Sequence, residues 1–230
     1  MEPTKMIETF SQVFRPAHQL IPGVLQHQYD FAIIGFGPTE HTTDDEPPKR
    51  LGPRQEIIPI DEYLGLYEPD SRKITLFNLG IRDAAERLVC NPEHLKRIVN
   101  LHEYAHALVH LGLTADQRHQ ILKNPQESAI FPACTALFQS IENGLHENLA
   151  QLLTLHALQK SAGDATIPEA KDTLAKMLDI FHALARRQPN EYRIDEYLDV
   201  PLSRIQKGFD LLKRQLLIGK IEPWKTVLTW

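Results

Sequence analysis

The run Leu101-His102-Glu103-Tyr104-Ala105-His106-Ala107-Leu108-Val109-His110-Leu111-Gly112 constrains this chain more than any other stretch. It is apolar, made of good helix formers and free of Gly or Pro before Gly112, yet it carries histidines and a glutamate. On a helix, positions four apart share a face, so His102 and His106 aim their imidazoles at a common point. Two neutral imidazoles about 2 Å from one cation make half of a tetrahedral zinc site. Glu103 is rotated roughly 100° from His102 by the helical period. It therefore flanks such a site without having to bind the cation, and its carboxylate is placed to take a proton from an activated water. Leu101, Ala105, Leu108, Val109 and Leu111 make the helix apolar on most sides, so it reads as buried. Buried His and Glu need partners, which a metal supplies; a solvated face with the same residues is the plainer alternative.

Composition narrows the class. A chain of 230 residues, 42% hydrophobic and 24% charged, can bury a sizeable core as an ordinary globular protein. Its net charge of −5 gives no electrostatic footprint for nucleic acid. Cys90 and Cys134 are too few for a secreted disulfide scaffold and lack metal-ligand spacing, so both read as buried thiols. The N-terminus leads into no apolar signal region and no apolar run is long enough to span a membrane, so the expected location is cytoplasmic.

Residues 4–28 read as partly helical, with Pro16 and Pro22 as interruptions. Residues 30–37 read as a buried strand. Its Gly35-Phe36-Gly37 is not a dinucleotide fingerprint, because Pro38 follows and no helix begins. Residues 38–56, rich in turn formers and charges, read as a mobile surface loop. Residues 62–67 and 72–77 are β-prone and flank Glu68-Pro69-Asp70-Ser71, which spells a hairpin turn. A short helix follows at 83–88. Asn91-Pro92 is an N-cap with Pro at the first helical position, so the motif helix runs from about 92 to 111, with Gly112 as its stop.

A zinc hydrolase site needs a third ligand and an open position. Residues 141–155 have helical periodicity with Leu145, Leu149, Leu152, Leu153 and Leu155 on the core side. Glu142, His146 and Glu147 compete there. Glu147 is the first choice, because Gln151 shares its face and can hold the ring nitrogen of a ligating histidine from behind; His146 is the second. His110 is about 12 Å along the axis from His102, too far to share one ion. Tyr63, Tyr67, Tyr104 and His146 are the candidates for stabilising an oxyanion or touching substrate.

With the hairpin upstream and Glu147 downstream, His102-Glu103-x-x-His106 resembles the glutamate-type zincins, or gluzincins. Glu147-x-x-Ala150-x-Leu152 is also similar to the compact intracellular metallopeptidases of the ImmA/IrrE type, some of which cut transcriptional repressors. The likeness covers about residues 62–156 and is specific only at the motif. It implies a zincin-like α+β fold, with a small hairpin-edged sheet and a mostly helical body. It also implies that residues 74–77 border the substrate groove. Where those enzymes place an acidic residue four after the ligand Glu, this chain has Gln151.

After residue 160 the composition shifts. Residues 161–166 are a small-residue linker, and Pro168 opens a helix with Leu174, Met177, Leu178, Phe181 and Leu184 as its apolar stripe. A further helix at 204–217 completes a unit that could be a helix-turn-helix. Acidic residues interleave with Arg186, Arg187, Lys207, Lys213, Arg214 and Lys220, so packing on the catalytic part is the better reading. The sequence thus gives a zincin-like catalytic domain at 1–160 and a helical subdomain at 161–230. The expected protein is a zinc-dependent, cytoplasmic metallopeptidase that cuts a peptide or protein substrate, with Glu103 as general base and Zn2+ on His102, His106 and Glu147. A regulatory protein is a second class of partner. Two rival readings are a metal-binding regulatory protein on a degenerate zincin fold, and a DNA-binding C-terminal module with a structural metal.

Overall fold

The structure, a computed structural model, describes residues 32–33, 38–46, 64–113, 132, 134–136, 138–139, 143–188 and 194. The readings made for residues 4–28, 47–56, 204–217 and most of 30–37 lie outside the described residues. In chain order the elements are β1 (Ala32–Ile33), β2 (Thr39–Thr43), β3 (Gly65–Glu68), β4 (Lys73–Phe77), α1 (Asn78–Leu88), α2 (Pro92–Leu111), β5 (Gly112–Leu113), α3 (Asn143–Asp164) and α4 (Pro168–Ala185). This is an α+β arrangement with a small three-stranded mixed sheet and a mostly helical body.

The hairpin forms as the sequence implies. β3 and β4 pair antiparallel with Tyr67 opposite Ile74, and residues 69–72 turn the chain, Arg72 adopting φ 52° to close the turn. β2 was not foreseen. Residues 39–43 form a strand parallel to β4, with Thr39 opposite Lys73, where a loop was expected. The strand is exposed along most of its length, so it lacks the apolar alternation that marks a strand locally. Its pairing also corrects the groove. The strand order is β2-β4-β3, so residues 74–77 lie in the central strand, with both backbone edges used by neighbours. The outer strand beside α2 is β3.

α2 is the axis of the molecule. Asn91 caps its start by accepting a hydrogen bond from the Glu93 N–H at 2.8 Å, and Pro92 occupies the first position, where no N–H is needed. Gly112 ends it, but not by a left-handed turn: its φ and ψ of −71° and 130° are extended. Its missing Cβ is what matters, since a Cβ there would lie 2.5 Å from the Leu108 carbonyl oxygen. The chain therefore passes straight from helix into β5, which pairs with β1. α2 packs against α1, α3 and α4 and against β1, β3, β4 and β5. Leu95, Ile98, Leu101, Leu108 and Leu111 are buried, each contributing about 1.5–3 kcal/mol of transfer free energy.

α3 presents Leu149, Leu152, Leu153 and Leu155 to this core, and α4 presents Ala170, Leu174, Met177, Ile180 and Phe181. The linker is shorter than its composition suggests. α3 continues through Ser161 to Asp164, with Lys160 and Asp164 paired at 2.8 Å across its last turn. Among the described residues, no helix is long and apolar enough to cross a membrane. Replacing Asn91 by Ala is expected to lower unfolding free energy by about 1 kcal/mol, read as a lower denaturation midpoint with an unchanged slope.

Candidate metal centre

His102 and His106 project from α2 toward α3, where Glu147 meets them. The ligand atoms of these three residues all lie within 4.8 Å of one another. His102 Nε2 is 3.1 Å from Glu147 Oε2, His106 Nε2 is 3.3 Å from the same oxygen, and the two Nε2 atoms are 3.1 Å apart. The imidazole planes stand at 89° to each other. Ligands about 2.0 Å from a tetrahedral cation sit about 3.3 Å apart, so the three separations match the face of such a site. Hydrogen bonding alone does not account for the cluster. Each Nε2 has a single in-plane position for a proton or a lone pair, yet each faces two partners. One cation facing all three atoms satisfies every contact at once. The residues present therefore fit a divalent metal, and the imidazole–carboxylate donor set suits zinc among several such ions.

The electrostatics agree. Burial by itself would raise the Glu147 pKa, but the neighbouring His106 and His102, through charge and hydrogen bonds, hold it well below the usual carboxylate range. Burial pushes His106 down, and the Glu147 and Glu103 carboxylates outweigh it, leaving its pKa raised. Negative charge thus stays on Glu147 where a cation would gain most from it.

Glu103 is buried against the hairpin. Its carboxylate accepts a hydrogen bond from the Tyr67 backbone N–H of β3. A Cβ on Gly65 would stand 2.7 Å from Glu103 Oε1 and from Val99 Cγ1, so only glycine lets the strand approach this closely. Desolvation raises the Glu103 pKa against the lowering effect of both imidazoles, which are near enough for their charge to act on it.

The other candidates fare differently. Tyr104 lies about 200° around the helix from His102, and its hydroxyl hydrogen-bonds the Glu40 carboxylate of β2. It is therefore turned to the sheet and not to the cluster, which removes it from the oxyanion candidates. Gln151 is buried on α3, but its amide donates to Gln188 Oε1 at 2.6 Å. That bond uses the amide N–H of Gln151, whereas the imidazole support expected of it would use the amide oxygen. Tyr63 and the side chain of His146 lie outside the described residues. His110, fully buried, faces the Tyr67 hydroxyl at 2.9 Å and Thr135 Oγ1 at 3.0 Å. Gly65 and the Tyr67 backbone were missed by sequence reasoning; an isolated glycine inside a strand is the one local hint of close backbone approach.

Fold and site together define an α+β protein with a buried His-His-Glu group able to hold a metal ion. Comparison with known protein families, curated proteins and solved structures gives no match for this chain.

Replacing Glu147 or His106 by Ala is expected to weaken zinc binding by more than about 100-fold, beyond the loss seen for outer supports. Because His106 holds its proton more tightly than a free imidazole, metal uptake must displace that proton. Affinity is therefore expected to fall about tenfold per unit as pH drops below the raised His106 pKa. Calorimetry in two buffers of different ionisation heat reads the released proton; a heat independent of buffer is the contrary result.

Proposed function

We propose that this chain is a metal-dependent peptidase of the zincin type, with zinc held by His102, His106 and Glu147 and with Glu103 as the proton carrier. The observation that carries the reading is the juxtaposition itself: three converging ligand atoms beside a buried carboxylate whose pKa is raised. A divalent cation bound there supplies Lewis acidity, lowering the pKa of water and polarising a carbonyl oxygen. A carboxylate with a raised pKa is a better base near neutral pH. Glu103 takes the proton of the attacking water on its carboxylate and returns it to the leaving amine. The Tyr67 N–H holds that carboxylate in place, so little reorganisation accompanies the transfer.

The sheet supports a peptide as the substrate class. β3 is an outer strand next to Glu103, and an extended peptide laid along it would form main-chain hydrogen bonds within reach of the site. The resemblance to gluzincins supports a peptide or protein substrate, and Gln151 marks the departure from their pattern. α4 packs on α2 and α3, which supports a C-terminal helical unit resting on the catalytic part. Two cysteines in 230 residues suit a reducing, cytoplasmic setting.

Replacing Glu103 by Gln is expected to lower kcat on a fluorogenic peptide pool by about 10²–10⁴-fold, with zinc stoichiometry unchanged. Undiminished cleavage by E103Q, or no cleavage by the zinc-loaded wild type, would overturn the assignment.

A further inference from the structure

We propose that Tyr67 is a positioning residue: α2 grips it at two points, its backbone through Glu103 and its side chain through His110, and this clamp sets where the Glu103 carboxylate stands. The inference rests on Glu103 being the proton carrier proposed above.

The register of the hairpin supplies the first half. The Phe77 N–H donates to the Leu64 carbonyl at 3.1 Å, and the pairing places Leu66 opposite Thr75 and Glu68 opposite Lys73. In an antiparallel pair these alternate residues exchange the ladder hydrogen bonds. The backbone groups of Gly65 and Tyr67 therefore point away from β4. The Tyr67 N–H meets Glu103 there, and the missing Cβ of Gly65 lets the carboxylate sit against the strand.

The helix supplies the second half. His110 is seven positions after Glu103, so the two lie on nearly the same face of α2, about 10 Å apart along its axis. His110 Nδ1 is 2.9 Å from the Tyr67 hydroxyl, and its Nε2 is 3.0 Å from Thr135 Oγ1. Burial holds the Tyr67 hydroxyl protonated, so the hydroxyl and Nδ1 share a hydrogen bond whichever of the two donates, and Nε2 makes the matching bond with the Thr135 hydroxyl. Phe138 packs its ring against both Tyr67 and His110. β3 is only four residues long and, among the described residues, pairs with β4 alone. Such a short outer strand holds its height over α2 poorly by ladder bonds, and the buried Tyr67–His110 pair fixes it. His102 and His106 turn toward α3 instead, so the clamp acts on Glu103 without touching the metal ligands.

The test uses the full-length, zinc-loaded protein and three variants: Tyr67→Phe, His110→Gln and His110→Asn. An Asn carboxamide reaches the place of Nδ1 and can keep the tyrosine bond; a Gln carboxamide reaches the place of Nε2 and keeps only the threonine bond. Amide exchange by NMR is read at Tyr67, with the Leu66 N–H, bonded to β4, as internal reference. The expected result is Tyr67 exchange at least about tenfold faster in Y67F and H110Q than in the wild type. In the same two variants kcat falls about 10- to 100-fold, while KM, zinc stoichiometry and Leu66 exchange hold. H110N should stand nearer the wild type than H110Q in both readouts. Equal Tyr67 exchange in all four proteins, or H110N as impaired as H110Q, would overturn the clamp. Should the wild type cleave no peptide, the peptidase reading fails, and the exchange contrast alone still decides the clamp.

Discussion

A helix enclosed by the rest of the protein can keep a polar side chain only against another polar group. α2 is in that position, and the organisation of the site follows from it. His102 and His106 draw the Glu147 carboxylate from α3. Glu103 draws a backbone N–H from β3. Tyr104 draws Glu40 from β2, and His110 draws the hydroxyls of Tyr67 and Thr135. The polar residues of the motif thus tie α3, β3 and β2 to the axis. The same residues that carry the proposed chemistry also specify how the sheet and α3 are set around the helix.

This division explains the role of two glycines. Gly65 lets β3 come close enough for its backbone to serve Glu103, and Gly112 lets the chain leave α2 without striking the Leu108 carbonyl. One lies against Glu103 and the other ends the helix that carries His102 and His106. Neither adopts a left-handed backbone; both are chosen for the volume they lack.

What the sequence disclosed was whatever is encoded locally. The Asn91 cap, the Pro92 start, the turn at Pro69-Asp70-Ser71 and the apolar stripe of α4 each occupy a few neighbouring positions, and each forms as read. The spacing of His102 and His106 set their shared face, and the periodicity of residues 141–155 brought Glu147 to it. What stayed hidden depends on pairing between distant segments. β2 is exposed and patternless, so its only evidence is its partner β4. The central place of β4 follows from that partner, which leaves β3 as the outer strand beside α2 among the described residues. Gln151 was assigned an imidazole because helical spacing says who shares a face; it could not say that Gln188 would meet its amide N–H. The Tyr67 N–H has no residue-type signature at all, since every residue but proline carries one.

The cluster also bears on what holds its three side chains together. Two imidazoles and a carboxylate at such separations repel or attract according to where the protons lie. With the His106 pKa raised and that of Glu147 well lowered, a proton on the imidazole faces a negative carboxylate, and the pair attracts. That attraction and the attraction of a cation facing the same three atoms have the same sign, so neither works against the approach of α2 and α3 at this point. The cost of assembling the ligands is met by the packing of Leu149, Leu152 and Leu153 against α2. The binding energy of a cation held there would then go to affinity and not to building the fold, unlike the small domains that fold only when metal is bound.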